Sequence, residues 1–210
     1  MSLGNGNPKE GDKGSNFNYE LKVLQGLDAI AVALESQPTT TNYGLFAQDK
    51  NSSPVENTTT PGSLLGLGIG QLTVPANTFK VGDSFHLKML GHLGARNGTP
   101  LRLEIMSDSV ILADTGPITL PTCTDKHWEL NVYFTIRTLG VAGSASIMSG
   151  GIFTYTKDAS NAFEGVNFTE QNVTDFDTTI SNTLDVIATW GGAHPDNNIY
   201  SEIAILHKLY

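Results

Sequence analysis

Five histidines, His86, His92, His127, His194 and His207, are the first residues to test for chemistry. His86 and His92 share one face of the extended stretch DSFHLKMLGHL. Six residues of strand set them about 20 Å apart, too far to chelate one metal as neighbours. HxH, HExxH and Cys/His patterns are absent, so no metal site is expected from spacing. His194 stands in GGAHPDNN beside Asp196, Asn197 and Asn198; this is turn chemistry first, and a calcium or glycan contact second. Asp175 and Asp177 in TDFDTT fall on one side of an extended segment, where paired carboxylates can bind calcium or serve a hydrolase. No third acid is positioned by the sequence and GxSxG is missing, so solvated loop acids are the default. Cys123, the single cysteine, excludes an intrachain disulfide and a multi-cysteine metal site; within LPTCTDK it reads as a turn thiol rather than a nucleophile. Trp128 and Trp190 have faces suited to stacking on sugars, but both fall on inferred core faces. The expectation is a chain with no catalytic residues, no cofactor and no enzyme activity.

The elements that would position these residues are β-strands. In His127–Arg137, HWELNVYFTIR, Trp128, Leu130, Val132, Phe134 and Ile136 alternate with polar residues, which predicts a strand with one face in an apolar core. Phe85, Leu87, Met89 and Leu93 are predicted inward in DSFHLKMLGHL, and Leu101, Leu103 and Ile105 in LRLEI. Asn97-Gly98 and Pro100 between these two stretches have hairpin chemistry. SVILADTG and PITL read as short strands, and ASIMSGGIFTY as a partner strand bent at Gly150-Gly151. NAFEGVNF and TDFDTTI read as shorter and less regular. Leu184, Val186, Ala188 and Trp190 alternate inward in TLDVIATW, and IYSEIAILHKLY is a final strand. Gly66, Gly68 and Gly70 leave one face of a strand bare for another backbone; without a following Lys-Ser/Thr they are not a phosphate loop.

About ten strands with no helix between them predict an antiparallel two-sheet sandwich, and the strand count favours a jelly roll. The chain divides into a flexible arm at 1–16, an amphipathic helix at 17–36, a linker or stalk with a short strand (YGLFAQ) at 37–61, and a head at 62–210. In the helix, Val23, Leu27, Ile30 and Leu34 repeat at three- and four-residue intervals. It packs on its own domain, meets two other copies around an axis, or plugs into a larger assembly.

The 210 residues carry a net charge of -9, which argues against nucleic-acid or anionic-membrane binding. No apolar run approaches the roughly 18 residues that span a bilayer, and the start has no secretory h-region; a soluble chain made without a signal is expected. Asn51, Asn57, Asn97, Asn167 and Asn172 begin Asn-x-Ser/Thr sequons, read as accidents of a chain rich in Asn and Thr.

One exception to the alternation recurs. Leu90, Tyr133, Met148, Ile152, Ile187, Leu206 and Tyr210 are apolar where a solvated face is expected, which predicts a patch larger than a monomer exposes. A second copy of the chain is the expected cover, with Tyr133, Met148, Ile187, Leu206 and Tyr210 as interface residues.

A compact antiparallel domain whose last strand ends the chain resembles the TNF-like or complement-type globular head, a trimeric jelly roll. PANTFKVGDSFHLKMLGHL, ILADTGPITLP, NAFEGVNF, FDTTISNTLDVIATWG and SEIAILHKLY resemble head or fibre proteins of virophages, related small DNA viruses and tailed phages, over most of residues 62–210. NGNPKEGDKGSNFNYELKVLQGL is similar to their N-terminal segment. The resemblance implies a homotrimeric virion protein, made in the host cytoplasm. The N-terminal segment would join it to a capsid or fibre base, and the head would meet a host surface receptor or glycan. Gly94–Pro100 and Gly191–Asn198 are the loops expected to make that contact. A capsid decoration or cement protein without a receptor role is one alternative. A polysaccharide-binding or depolymerising tip that uses Asp175 or Asp177 is another.

Overall fold

The computed structural model describes residues 44–210; the arm and helix expected at 1–36 lie outside them. Fourteen strands are assigned there. They are β1 (Leu45–Gln48), β2 (Val55–Glu56), β3 (Gly62–Ser63), β4 (Gly68–Gln71), β5 (Thr73–Val74), β6 (Ser84–Ala95), β7 (Thr99–Ser107), β8 (Val110–Asp114), β9 (Ile118–Leu120), β10 (Cys123–Thr138), β11 (Ser146–Thr156), β12 (Phe163–Val173), β13 (Asn182–Trp190) and β14 (Asn198–Lys208). They form two antiparallel sheets, and no helix occurs among the described residues. The larger sheet runs β12-β11-β10-β6-β14-β1-β4, with β2 also on β14. The smaller runs β3-β13-β7-β8, with β5 on β13 and β9 on β7. One core fills the space between them, including Trp128, Leu130 and Val132 of β10 and Leu103, Ile105 and Val186 of β7 and β13. This is a β-sandwich, and the period-two patterns are its cause: every inward residue named for β6, β7 and β10 is buried.

The sandwich also takes in much of the stretch expected as a linker. β1 pairs with β14 and β4, and β2 pairs with β14; Phe46 and Val55 are core residues. The alternate glycines explain the close pairing. A Cβ on Gly68 would stand 2.3 Å from the Ala47 carbonyl oxygen and one on Gly70 2.1 Å from that of Leu45, so only glycine lets β4 lie against β1.

Four expectations change. The Asn97-Gly98 turn does not close a hairpin: β6 pairs with β10 and β14, whereas β7 pairs with β13, β8 and β9. The turn carries the chain from one sheet to the other, with Gly98 at φ 80 and its N–H donating to the Leu120 carbonyl at 2.8 Å. Turn chemistry specifies a reversal but not the partner across it. Gly150-Gly151 does not interrupt β11, which stays in register with β10 through both residues. Gly151 instead clears the Asn131 carbonyl and the Phe168 ring, 2.5 Å and 2.8 Å from where its Cβ would be. NAFEGVNF extends into an eleven-residue strand, β12, while TDFDTT is loop.

The last change reverses the faces of β14. Simple alternation from Ile199 places Ile203 and Ile205 inward and Leu206 outward. A β-bulge between Ser201 and Ile203 shifts the register against β6, and beyond it Ala204 and Leu206 point into the core. Leu206 is 5% exposed and Ile203 45%. Leu206→Ala should therefore cost about 2–5 kcal/mol, and Ile203→Ala, outside the chain's own core, should cost less. Urea unfolding of the two variants checks this; equal losses would mean the bulge is misplaced.

Candidate functional site

The outer faces of the two sheets differ in chemistry. On the smaller sheet Arg102 makes a two-pronged bridge to Asp114, with Nε to Oδ1 at 3.0 Å and an Nη to Oδ2 at 2.6 Å, and it also lies 3.1 Å from Glu104. The guanidinium holds the Asp114 carboxyl below its ordinary range. Ser63 Oγ donates to Asp185 at 2.5 Å on the same sheet. Ile187 belongs here, opposite Glu104 in register.

The outer face of the larger sheet mixes apolar and aromatic side chains with a few polar ones. Tyr133 lies between Gly150 of β11 and His86 of β6, and His86 lies opposite His207 of β14. Tyr133 and His86 stack with ring centres 4.4 Å apart and planes 5° from parallel. The next row runs from Ile152 through Asn131 and Lys88 to Ile205, Ala47 and Ile69. Leu90 and Ile203 face each other one row further along. Tyr133 is 54% exposed, and Met148, Leu90 and Ile205 are half-buried. Charge here is sparse and mostly paired, as in Lys88 with Glu129 at 3.1 Å.

The five expected interface residues thus separate. Tyr133 and Met148 share the larger sheet's outer face. Ile187 is on the opposite side of the sandwich, and Leu206 is in the core. Tyr210 is exposed at the end of the larger sheet, where its backbone carbonyl accepts from Ser84 N–H at 3.1 Å.

The far end of the same face holds a cleft of about 210 Å³ between β6, β10 and β14. His92, Asp125, Asp196, Asn198 and Tyr200 line it. His92 Nδ1 is 2.9 Å from Asp125 Oδ1, and its Nε2 is 3.6 Å from a Glu202 oxygen. The imidazole stacks on Tyr200, centres 6.0 Å apart and planes 13° from parallel. Burial and the nearby carboxylates of Glu202 and Asp125 push the Tyr200 phenol up, which keeps its O–H intact. Asp125 is held at φ 50. The amide oxygen of Asn198 is buried with no hydrogen-bond partner among the described residues. Sequence reading singled out His92 and the 191–198 loop but missed Asp125 and Tyr200. These groups come from three stretches far apart in the chain, and only the order of β10, β6 and β14 joins them.

The other residues considered for chemistry are committed elsewhere. Trp128 and Trp190 are buried, the latter donating Nε1–H to the Val55 carbonyl at 2.9 Å. His194 is folded into its own turn: its Nδ1 accepts from Asp196 N–H at 3.2 Å, and its carbonyl from Asn197 N–H at 2.9 Å. Asp177 Oδ1 accepts from the N–H and hydroxyl of Thr179 at 2.7 Å and 2.6 Å, bonds that hold its carboxyl below the usual range. Among the described residues no three His, Cys, Asp or Glu side chains are grouped to hold a metal ion.

No protein-family model matches the chain, and no curated protein or solved structure matches it significantly.

Cys123 is buried, and its thiol is directed to the Thr156 carbonyl at 3.7 Å. Burial, reinforced by Asp158, pushes its pKa up from 9.0 to about 11. At pH 8 the thiolate fraction is then about a hundredfold below that of the unfolded chain. An aromatic disulfide reagent should label the native protein at least about a hundredfold more slowly than the protein in denaturant; comparable rates would show an open thiol.

Proposed function

We propose that this chain is the non-enzymatic head of a homotrimeric viral fibre or vertex protein and attaches the virion to a host surface receptor or glycan. In this reading the sandwich is a TNF-like jelly roll. The segment before it joins the capsid or fibre base, and the larger sheet's outer face meets the other copies. One observation carries the reading: the two outer faces of a single sandwich differ. Arg102, Asp114, Glu104 and Asp185 suit the smaller sheet to water, whereas Tyr133, Ile152, Leu90, Ile203 and Ile69 give the larger sheet an outer face rich in apolar side chains, set around the Lys88–Glu129 pair. A second copy is the economical cover for such a face. The cleft favours attachment over capsid decoration without a receptor role. The two hydrogen bonds that Asp177 accepts from Thr179 support a turn-forming role for it over a depolymerising one.

Light scattering on the full chain tests this. The expected mass is three times that of the 22.4 kDa chain. Tyr133→Glu should reduce it to one chain, because a charge is then placed in a desolvated contact. Ile187→Glu, on the polar face, should leave the trimer intact. A monomeric parent chain, or a trimer broken by Ile187→Glu and not by Tyr133→Glu, would overturn the assignment.

A further inference from the structure

We propose that the cleft between β6, β10 and β14 binds a single ring of an uncharged sugar. The inference rests on the attachment reading and deepens it, by naming the class of ligand and the residues that would take it. Two features converge. The stacked pair of His92 and Tyr200 provides flat ring surface in the wall, and the C–H face of a pyranose packs against aromatic rings as other apolar surfaces do. Asp125 and Asp196 provide carboxylates, which only accept hydrogen bonds when ionised and bind hydroxyl donors strongly.

Charge then selects among sugars. Asp125, Asp196 and Glu202 surround His92 and Tyr200, and Glu56 lies 3.4 Å from Asn198 Nδ2. The nearby cation of Lys126 is 3.5 Å from Asp158 and donates to Asn161. A sialate, uronate or sulfated sugar would place its anion among these carboxylates and be repelled, whereas a neutral hexose or N-acetylhexosamine would not. The cleft is smaller than the usual range for drug-sized ligands, which limits it to one ring at a glycan end or branch. Most of its walls are strand ends fixed by the sheet, and Asp196 is on a turn held by the His194–Asn197 hydrogen bond, so little ordering opposes binding.

The test is saturation-transfer NMR and titration of the full chain. The probes are the methyl glycosides of glucose, galactose, mannose and fucose, N-acetylglucosamine, N-acetylgalactosamine and N-acetylneuraminic acid. At least one neutral sugar should bind and N-acetylneuraminic acid should not. Tyr200→Ala and Asp196→Asn should each weaken the neutral sugar about tenfold or more, the loss of one good contact. Asp196 is exposed and Tyr200 half-buried outside the core, so the variants are expected to fold, and native near-ultraviolet dichroism checks this. Chelation of divalent cations should leave binding unchanged, since the contacts are direct. Failure of every neutral sugar, equal binding of N-acetylneuraminic acid, insensitivity to both variants, or loss on chelation would each overturn the proposal. The mass of the same sample separates this from the wider reading: a trimer that binds no sugar refutes the cleft alone, and a monomer that binds sugar refutes the trimeric head alone.

Discussion

The bulge at Ser201 decides how the larger sheet is built. An extra residue in β14 leaves ladder groups without their regular partners, and the surrounding side chains take them up. Ser52 Oγ accepts from Ser201 N–H at 2.9 Å, and the Ser201 carbonyl accepts from Ser52 N–H at 3.0 Å and Gln48 Nε2 at 3.1 Å. Ser201 Oγ donates to the Leu64 carbonyl, 2.5 Å away, or to Gln48 Oε1, 3.0 Å away. From the other side the Trp128 indole N–H is shared between the His92 and Tyr200 carbonyls, both at 3.1 Å. Buried polar groups are stabilising only when each has a partner. Here the partners come from β1, β10 and the segments after β1 and β3, so the bulge also secures the strands that precede the sheet's main body.

The consequences run in both directions along β14. Beyond the bulge the alternation inverts, which sends Leu206 inward and leaves Ile203 beside Leu90 on the outer face. Before it Tyr200 stays outward beside His92, with the indole locking both carbonyls beneath them. Gly91 is part of the same arrangement, since a Cβ there would stand 2.1 Å from the Tyr200 carbonyl oxygen. One irregularity therefore fixes the composition of the apolar face and the aromatic wall of the cleft.

This explains what was legible in the sequence. Period two gave the strands and, for β6, β7 and β10, the correct inward residues, because each remains regular over many pairs. The alternate glycines announced a close backbone contact, which β1 supplies. Pairing partners were not legible. Asn97-Gly98 has the composition of a hairpin, but the continuations on either side belong to different sheets. Leu206 was misplaced because a bulge has no strong signature: Ser201, Glu202 and Ile203 read as ordinary alternation until their partners on β6 are known. Asp125 and Tyr200 escaped notice for the same reason, as neither stands near the other or near His92 in the chain except through the sheet.

The proposed trimer contact and sugar cleft make compatible demands on one sheet. Tyr133 is opposite His86, and Tyr200 opposite His92, so these two tyrosines are about 20 Å apart along β6, with Leu90 and Ile203 between them. Apolar burial needs breadth, which Ile152, Tyr133, Leu90, Ile203 and Ile69 supply from several strands. Ligand recognition needs a rim where strands end and backbone turns aside, as at Gly94, Asp125 and Asp196. A flat sheet surface would serve the first and not the second. The strand ends introduce concavity and carboxylates where packing against another copy would leave them unpaired at a cost. Acidic groups at that end thus oppose extension of the apolar contact over the cleft, and the chemistry that would bind a sugar is also chemistry that keeps the site open.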